Sequence, residues 1–161
     1  MLLIGAAVLG CGPQISDTGY TGTWARGSER SRSTIAIHRE GDRYLFRWKV
    51  DSPDGKWRVR CDWNGQCEEQ VEGEKTSEYR FTTRTDPATG HLLVQCTGRV
   101  TKPKQLDISY LDELVVEPGG RVLWSYTLQR GGERFQGEAR PKRSFDKVSD
   151  EVGELPPQAL E

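Results

Sequence analysis

The sequence predicts an all-β protein, an up-and-down antiparallel meander of about 8–10 strands. Period-two alternation is the first of three observations behind this. It is clearest from Arg43 to Trp63, RYLFRWKVDSPDGKWRVRCDW, where Tyr44, Phe46, Trp48 and Val50 share a face with Trp57, Val59, Cys61 and Trp63. Turn chemistry is the second: Gly41-Asp42, Pro53-Asp54-Gly55, Asn64-Gly65, Pro87 to Gly90, Pro118-Gly119-Gly120 and Gly131-Gly132 punctuate the chain at short intervals. Composition is the third. In 161 residues there are 18 Gly and one Met, with five Trp, five Tyr and four Phe to fill a small core. The formal net charge of −1 gives no basic field of the kind that non-specific nucleic-acid binding needs, so nucleic acid is not an expected partner.

Taken in order, the chain opens on an apolar run, Leu2 to Leu9, that is too short to cross a bilayer, which takes about 20 residues. It fits the apolar region of an export signal. Val8-Leu9-Gly10-Cys11 resembles the lipobox of bacterial lipoproteins. That resemblance implies a signal peptide over residues 1–10, diacylation of Cys11 and a tether over 11–19. It also implies a membrane partner through the lipid anchor, in the bacterial cell envelope at the periplasmic face of the outer membrane or the cell surface. Each buried acyl methylene contributes about 0.8 kcal/mol to such an anchor.

The folded body is expected over residues 20–143. Tyr20 to Trp24 reads as a first strand and Thr34 to Arg39 as a second. The turn at Gly41-Asp42 pairs Glu40 with Arg43 and sets Ile37 beside Phe46. Pairing Asp51 with Lys56 continues the meander, with Arg47 and Lys49 opposite Arg60 and Arg58 on the wet face. Asp62-Trp63-Asn64-Gly65 has the signature of a three-residue loop with a bulge, which places Cys61 opposite Cys67 and turns Glu69 inward opposite Val59. In an oxidising envelope the two thiols are expected to form a disulfide, with a model value of about 2 kcal/mol. Cys96 is left as an interior thiol. Pairing Asp86 with His91 sets Tyr79, Phe81 and Thr83 against Gly98, Cys96 and Val94, and pairing Glu117 with Arg121 sets Asp112 opposite Tyr126. Gly131-Gly132 leads into a last strand around Phe135, and residues 144–161 read as an acidic, loosely ordered tail.

A meander of this length must close or split into two layers to bury its apolar face. Gly22-Thr23-Trp24 on the first strand, followed by a run of hairpins, resembles the lipocalin-like (calycin) β-barrels. In that superfamily the tryptophan plugs the barrel base and a basic residue near the end of the last strand packs over it. The resemblance therefore points to Trp24, with Arg140 or Arg143 as the cation.

The chemistry follows from what is missing as well as from what is present. His38 and His91 have neither a nucleophile nor an orienting carboxylate beside them in these registers, so no catalytic site, metal site or cofactor is expected. The function expected is binding of a small apolar or amphiphilic molecule. Its lining would be Phe46, Trp48, Trp57, Phe81, Tyr110, Trp124 and Tyr126, with Asp112 orienting a polar group. The alternative is a solid-packed barrel with a structural or protein-interaction role, in which the same aromatics fill the interior. The ladder of Arg47, Lys49, Arg58 and Arg60 is a candidate contact for an acidic partner or a lipid headgroup, or else a solvated face.

Overall fold

The structure, a computed structural model, describes residues 19–130, 133–134 and 143–155, with the backbone alone over 126–130 and 133–134. Cys11, Phe135 and Arg140 lie outside the described residues. The described chain is strand and turn throughout. Its strands are β1 (Gly22–Gly27), β2 (Arg32–Glu40), β3 (Arg43–Asp51), β4 (Trp57–Cys61), β5 (Gln66–Val71), β6 (Glu74–Thr85), β7 (Leu92–Val100), β8 (Leu106–Glu117), β9 (Arg121–Arg130), β10 (Glu133–Arg134) and β11 (Arg143–Ser149). Each of β1 to β9 pairs antiparallel with the next, and β11 bridges β9 back to β1. The meander thus closes into a ring of ten antiparallel strands, with β10 as a short second partner of β9. Closure leaves one continuous inner face to bury and removes most of the free edge.

Turn residues set the registers. Glu40 pairs with Arg43, Cys61 with Cys67, Phe81 with Cys96 and Asp112 with Tyr126, as the turn chemistry predicts. The β4–β5 turn shows why. Asp62 accepts from Gly65 N, and Gly65 takes φ +77, a conformation open to glycine at little cost. A side chain there would also run into the Phe81 carbonyl.

The β3–β4 hairpin departs from expectation. Ser52 N donates to the Trp57 carbonyl at 2.8 Å and Val50 pairs with Val59, two residues away from the Asp51–Lys56 register. The Ser52 hydroxyl and the Asp54 carboxylate hold the loop open by accepting from Trp57 N and Lys56 N. A shift of two preserves the faces, so the sorting of side chains survives. Trp63 does not stay on the inner face with its neighbours. It sits in the turn, its ring 4.8 Å from the Arg47 guanidinium, and donates to the Glu154 carbonyl at 2.7 Å.

The expected loose tail from 144 is the largest correction. Residues 144–149 belong to the strand that closes the ring, and Phe145 is fully buried, worth about 2–3 kcal/mol. Residues 150–155 then run over the outside of the ring. Thr23 donates to the Glu151 carbonyl at 2.6 Å and Arg47 to that of Val152 at 2.9 Å. Gly22 makes closure possible, because a side chain there would meet the Ser149 carbonyl at 2.7 Å and the Lys147 stem at 2.8 Å.

The core is the inner face of the ring. Ile35, Ile37, Leu92, Val94, Leu114 and Val122 are fully buried. Aromatic rings cross between them: Phe46 meets Phe81 and Trp124 edge-on at 5.7 and 5.6 Å, and Trp48 meets Trp124 at 5.0 Å. Phe145 continues the stack at 5.7 Å from Trp124.

Candidate functional site

The two ends of the ring differ. At the end that carries the β2–β3, β6–β7 and β8–β9 turns, Tyr20 reaches across the interior. Its hydroxyl donates to the Leu114 carbonyl at 2.6 Å and accepts from Leu92 N at 3.1 Å, so it ties the chain start to β7 and β8. Burial raises its phenol above the ordinary range. The Trp24 indole, 1% exposed, donates to the Tyr20 carbonyl at 3.0 Å. Lys147, from the closing strand, stands over the Trp24 ring with Nζ 5.4 Å from its centre. Of the two cations expected there, Arg140 lies outside the described residues, and the cation seen over the ring is Lys147. Arg143 instead pairs with Trp124 in the β9–β11 register and acts electrostatically on Asp112. This end is sealed.

At the opposite end, beside the β3–β4 and β5–β6 turns, the inner face turns polar. Glu69 points inward because it pairs with Val59 and the alternation of β5 allows nothing else. Both of its carboxylate oxygens are held. The Trp57 indole donates to Oε1 at 2.6 Å, and the Ser77 and Tyr79 hydroxyls donate to Oε2 at 2.7 and 3.0 Å. Burial, with the Glu69 charge, pushes the Tyr79 phenol well above its usual range, which keeps it a donor. Gly98 makes room for Tyr79, whose ring would lie 2.7 Å from any Cβ placed there. Trp48, Trp57, Tyr79 and Tyr110 all pack against the core yet stay half-buried. Aromatic surface is thus left over only partly covered around a fixed carboxylate.

The predicted lining divides accordingly. Phe46, Phe81 and Trp124 are between 3% and 7% exposed and fill the middle of the ring rather than line a space. Trp48, Trp57 and Tyr110 sit towards the polar end, and Tyr126 is placed by its backbone register alone. Asp112 is inward, as expected, but 4% exposed. Burial raises its carboxyl to about 7, against the opposing pull of the Trp124 indole N–H and the Arg143 charge. Its Oδ1 and the Trp124 Nε1 are buried and, among the described residues, reach no partner with hydrogen-bond geometry. Cys96 is a free, buried thiol pushed up to about 12 by burial and then by Asp112, so it is inert while the fold holds.

No family model, curated protein or solved structure matches this chain. The reading of the site therefore rests on its geometry.

On the outer face, the basic ladder is largely used within the chain. Arg47 covers Trp63, Arg58 donates to the Gln70 side chain at 2.8 Å, and Arg60 holds the Asp51 carboxylate and the Val50 carbonyl. Arg47, Lys49 and Arg60 border an open groove of about 580 Å³ with Glu68, Lys75 and Glu78, so the groove carries both signs of charge. Cys61 and Cys67 lie beneath it with their sulfurs 2.10 Å apart, the expected disulfide pair. His91 differs from expectation, since its Nδ1 lies 2.6 Å from Glu113 Oε1. That pair stands on the outer side of β7 and β8, where Glu113 is opposite Leu93.

The signal for Glu69 was present in the sequence as an acid breaking an apolar face. Its donors were not legible, because Trp57, Ser77 and Tyr79 converge only once three strands are in register.

Proposed function

We propose that this chain is a lipid-anchored cell-envelope protein, held through Cys11, whose ring is a lipocalin-like barrel binding a small amphiphilic molecule at its polar end. The reading is non-enzymatic. One observation carries it: half-buried Trp48, Trp57, Tyr79 and Tyr110 surround an inward carboxylate at one end, while Tyr20 and Trp24 pack into the other. A mostly apolar, aromatic wall with one fixed polar group is the usual make-up of a small-molecule site. The ligand enters only part-way, because Phe46, Phe81 and Trp124 occupy the middle. Trp24 beneath a cation from the last strand supports the barrel assignment.

The aromatic stack itself favours a second reading, a solid-packed barrel that works as a structural or protein-interaction module. Native mass spectrometry of the protein extracted from its own host membrane separates the two. The binding reading expects a small amphiphile retained in addition to the acyl anchor. A mass explained by the acylated chain alone favours the solid-packed module.

A further inference from the structure

Glu69 carries a feature that hydrogen bonding does not resolve. Its two oxygens accept from three donors, and all three, the Trp57 indole and the Ser77 and Tyr79 hydroxyls, are neutral. These fix the carboxylate in place and bring no compensating charge to it. Among the described residues no lysine or arginine forms an ion pair with it. The cations on neighbouring positions are on the other side of the sheet and already engaged. Arg58 is bound to Gln70, Lys75 lies between Glu68 and Glu78, and Arg60 holds Asp51. Strand alternation keeps them there.

A fixed negative charge in a half-buried aromatic setting selects its complement. A hard metal ion wants several oxygen ligands, whereas the Glu69 oxygens are already occupied by donors from two strands besides their own. A diffuse organic cation needs no such coordination. It is attracted by the carboxylate at longer range and by the ring faces of tryptophan and tyrosine. Trp57 and Tyr79 supply both, with polar edges on Glu69 and ring surface left partly exposed. Tyr110 lies close enough to Tyr79 to act on it electrostatically, which adds a further ring to the same wall.

We infer that the polar end of the ring is a site for an organic cation, an amine or quaternary ammonium headgroup, with Glu69 as its counter-charge and Trp57 and Tyr79 as its aromatic walls. This rests on the binding reading above and names the ligand class for it. An amphiphile of that kind would place its cationic head at Glu69 and its tail against Trp48 and Tyr110.

The test uses the full-length mature protein and three probes of equal chain length, each below its micelle concentration: dodecyltrimethylammonium, dodecyl maltoside and dodecyl sulfate. Binding is followed by calorimetry and by tryptophan fluorescence. The cationic probe is expected to bind at least about tenfold more tightly than the other two. Glu69→Gln keeps an acceptor for the Trp57 indole and is expected to abolish the advantage of the cationic probe over the neutral one. A thermal melt of that variant confirms that it folds, and Glu68→Gln on the outer face should keep the preference. Equal affinity for cationic and neutral probes, or a preference that survives Glu69→Gln, overturns the cation assignment and leaves amphiphile binding standing. Absence of binding by all three probes overturns both.

Discussion

The sealed end and the polar end of the ring are built from the same alternating strands, yet they treat polar groups in opposite ways. At the Tyr20 and Trp24 end the polar atoms of both side chains find partners. The Tyr20 hydroxyl uses both its donor and its acceptor capacity, and the Trp24 indole closes on the Tyr20 carbonyl. Such closure removes the desolvation cost of a buried polar group and leaves nothing to recognise a ligand. Towards the other end the inventory does not balance. Glu69 is held by three neutral donors and, among the described residues, forms no ion pair. The difference separates an end that stabilises the fold from an end that retains unused interaction capacity.

The comparison breaks most visibly at Trp24. Trp24→Ala removes a fully buried ring and the bond to Tyr20, and is expected to cost about 3–5 kcal/mol in urea unfolding. A loss below about 1 kcal/mol would show that this end is not the seal.

Asp112 comes next, and its effect depends on pH. Its folded carboxyl sits at about 7, above the ordinary 3.8, with Arg143 and Cys96 as the groups that share its field. Between those values the folded state binds the extra proton. The stabilisation is therefore complete below pH 4 and is lost as pH rises through 7. Asp112→Asn removes that dependence. The variant should be more stable than the parent at pH 8, by on the order of 2–4 kcal/mol, and close to it at pH 4. Parallel stability–pH curves for the two proteins would contradict the placement of Asp112.

Lys147→Ala gives the smallest effect. It tests whether the cation over Trp24 matters to closure, and about 0.5–1 kcal/mol is expected in the same unfolding assay. No change would reduce Lys147 to a bystander over a ring that seals by itself.

How much of this was legible in the sequence follows from what sets each feature. Registers fixed by a tight turn could be read directly, as at Gly41-Asp42, Asn64-Gly65 and Glu117–Arg121, because the turn dictates the pairing on both arms. The β3–β4 register was off by two, since the Ser52 and Asp54 side chains hold a wider loop than the dipeptide pattern suggests. The closing strand was not legible. In Arg143–Ser149 Phe145 is the one buried apolar side chain, Val148 is 60% exposed, and Lys147 is an exposed residue whose ammonium stands over the Trp24 ring. That strand exists because two distant edges, β1 and β9, need a partner, and no local pattern records such a need. Trp63 misled for a related reason. Its partners, Arg47 and the Glu154 carbonyl, come from the far side of the sheet and from the end of the chain. Of the candidate site, the inward positions of Glu69 and Asp112 followed from alternation. The convergence of three neutral donors on Glu69 did not, because it depends on β4, β5 and β6 together.

Amide hydrogen exchange, read with and without saturating dodecyltrimethylammonium, tests the contrast between the two ends most directly. The account expects slower exchange in β4, in β5 and at the start of β6 around Trp57, Glu69 and Tyr79, with β1 around Trp24 and the Leu92 amide unchanged. Protection centred on Trp24 and Leu92, or spread evenly around the ring, would contradict it.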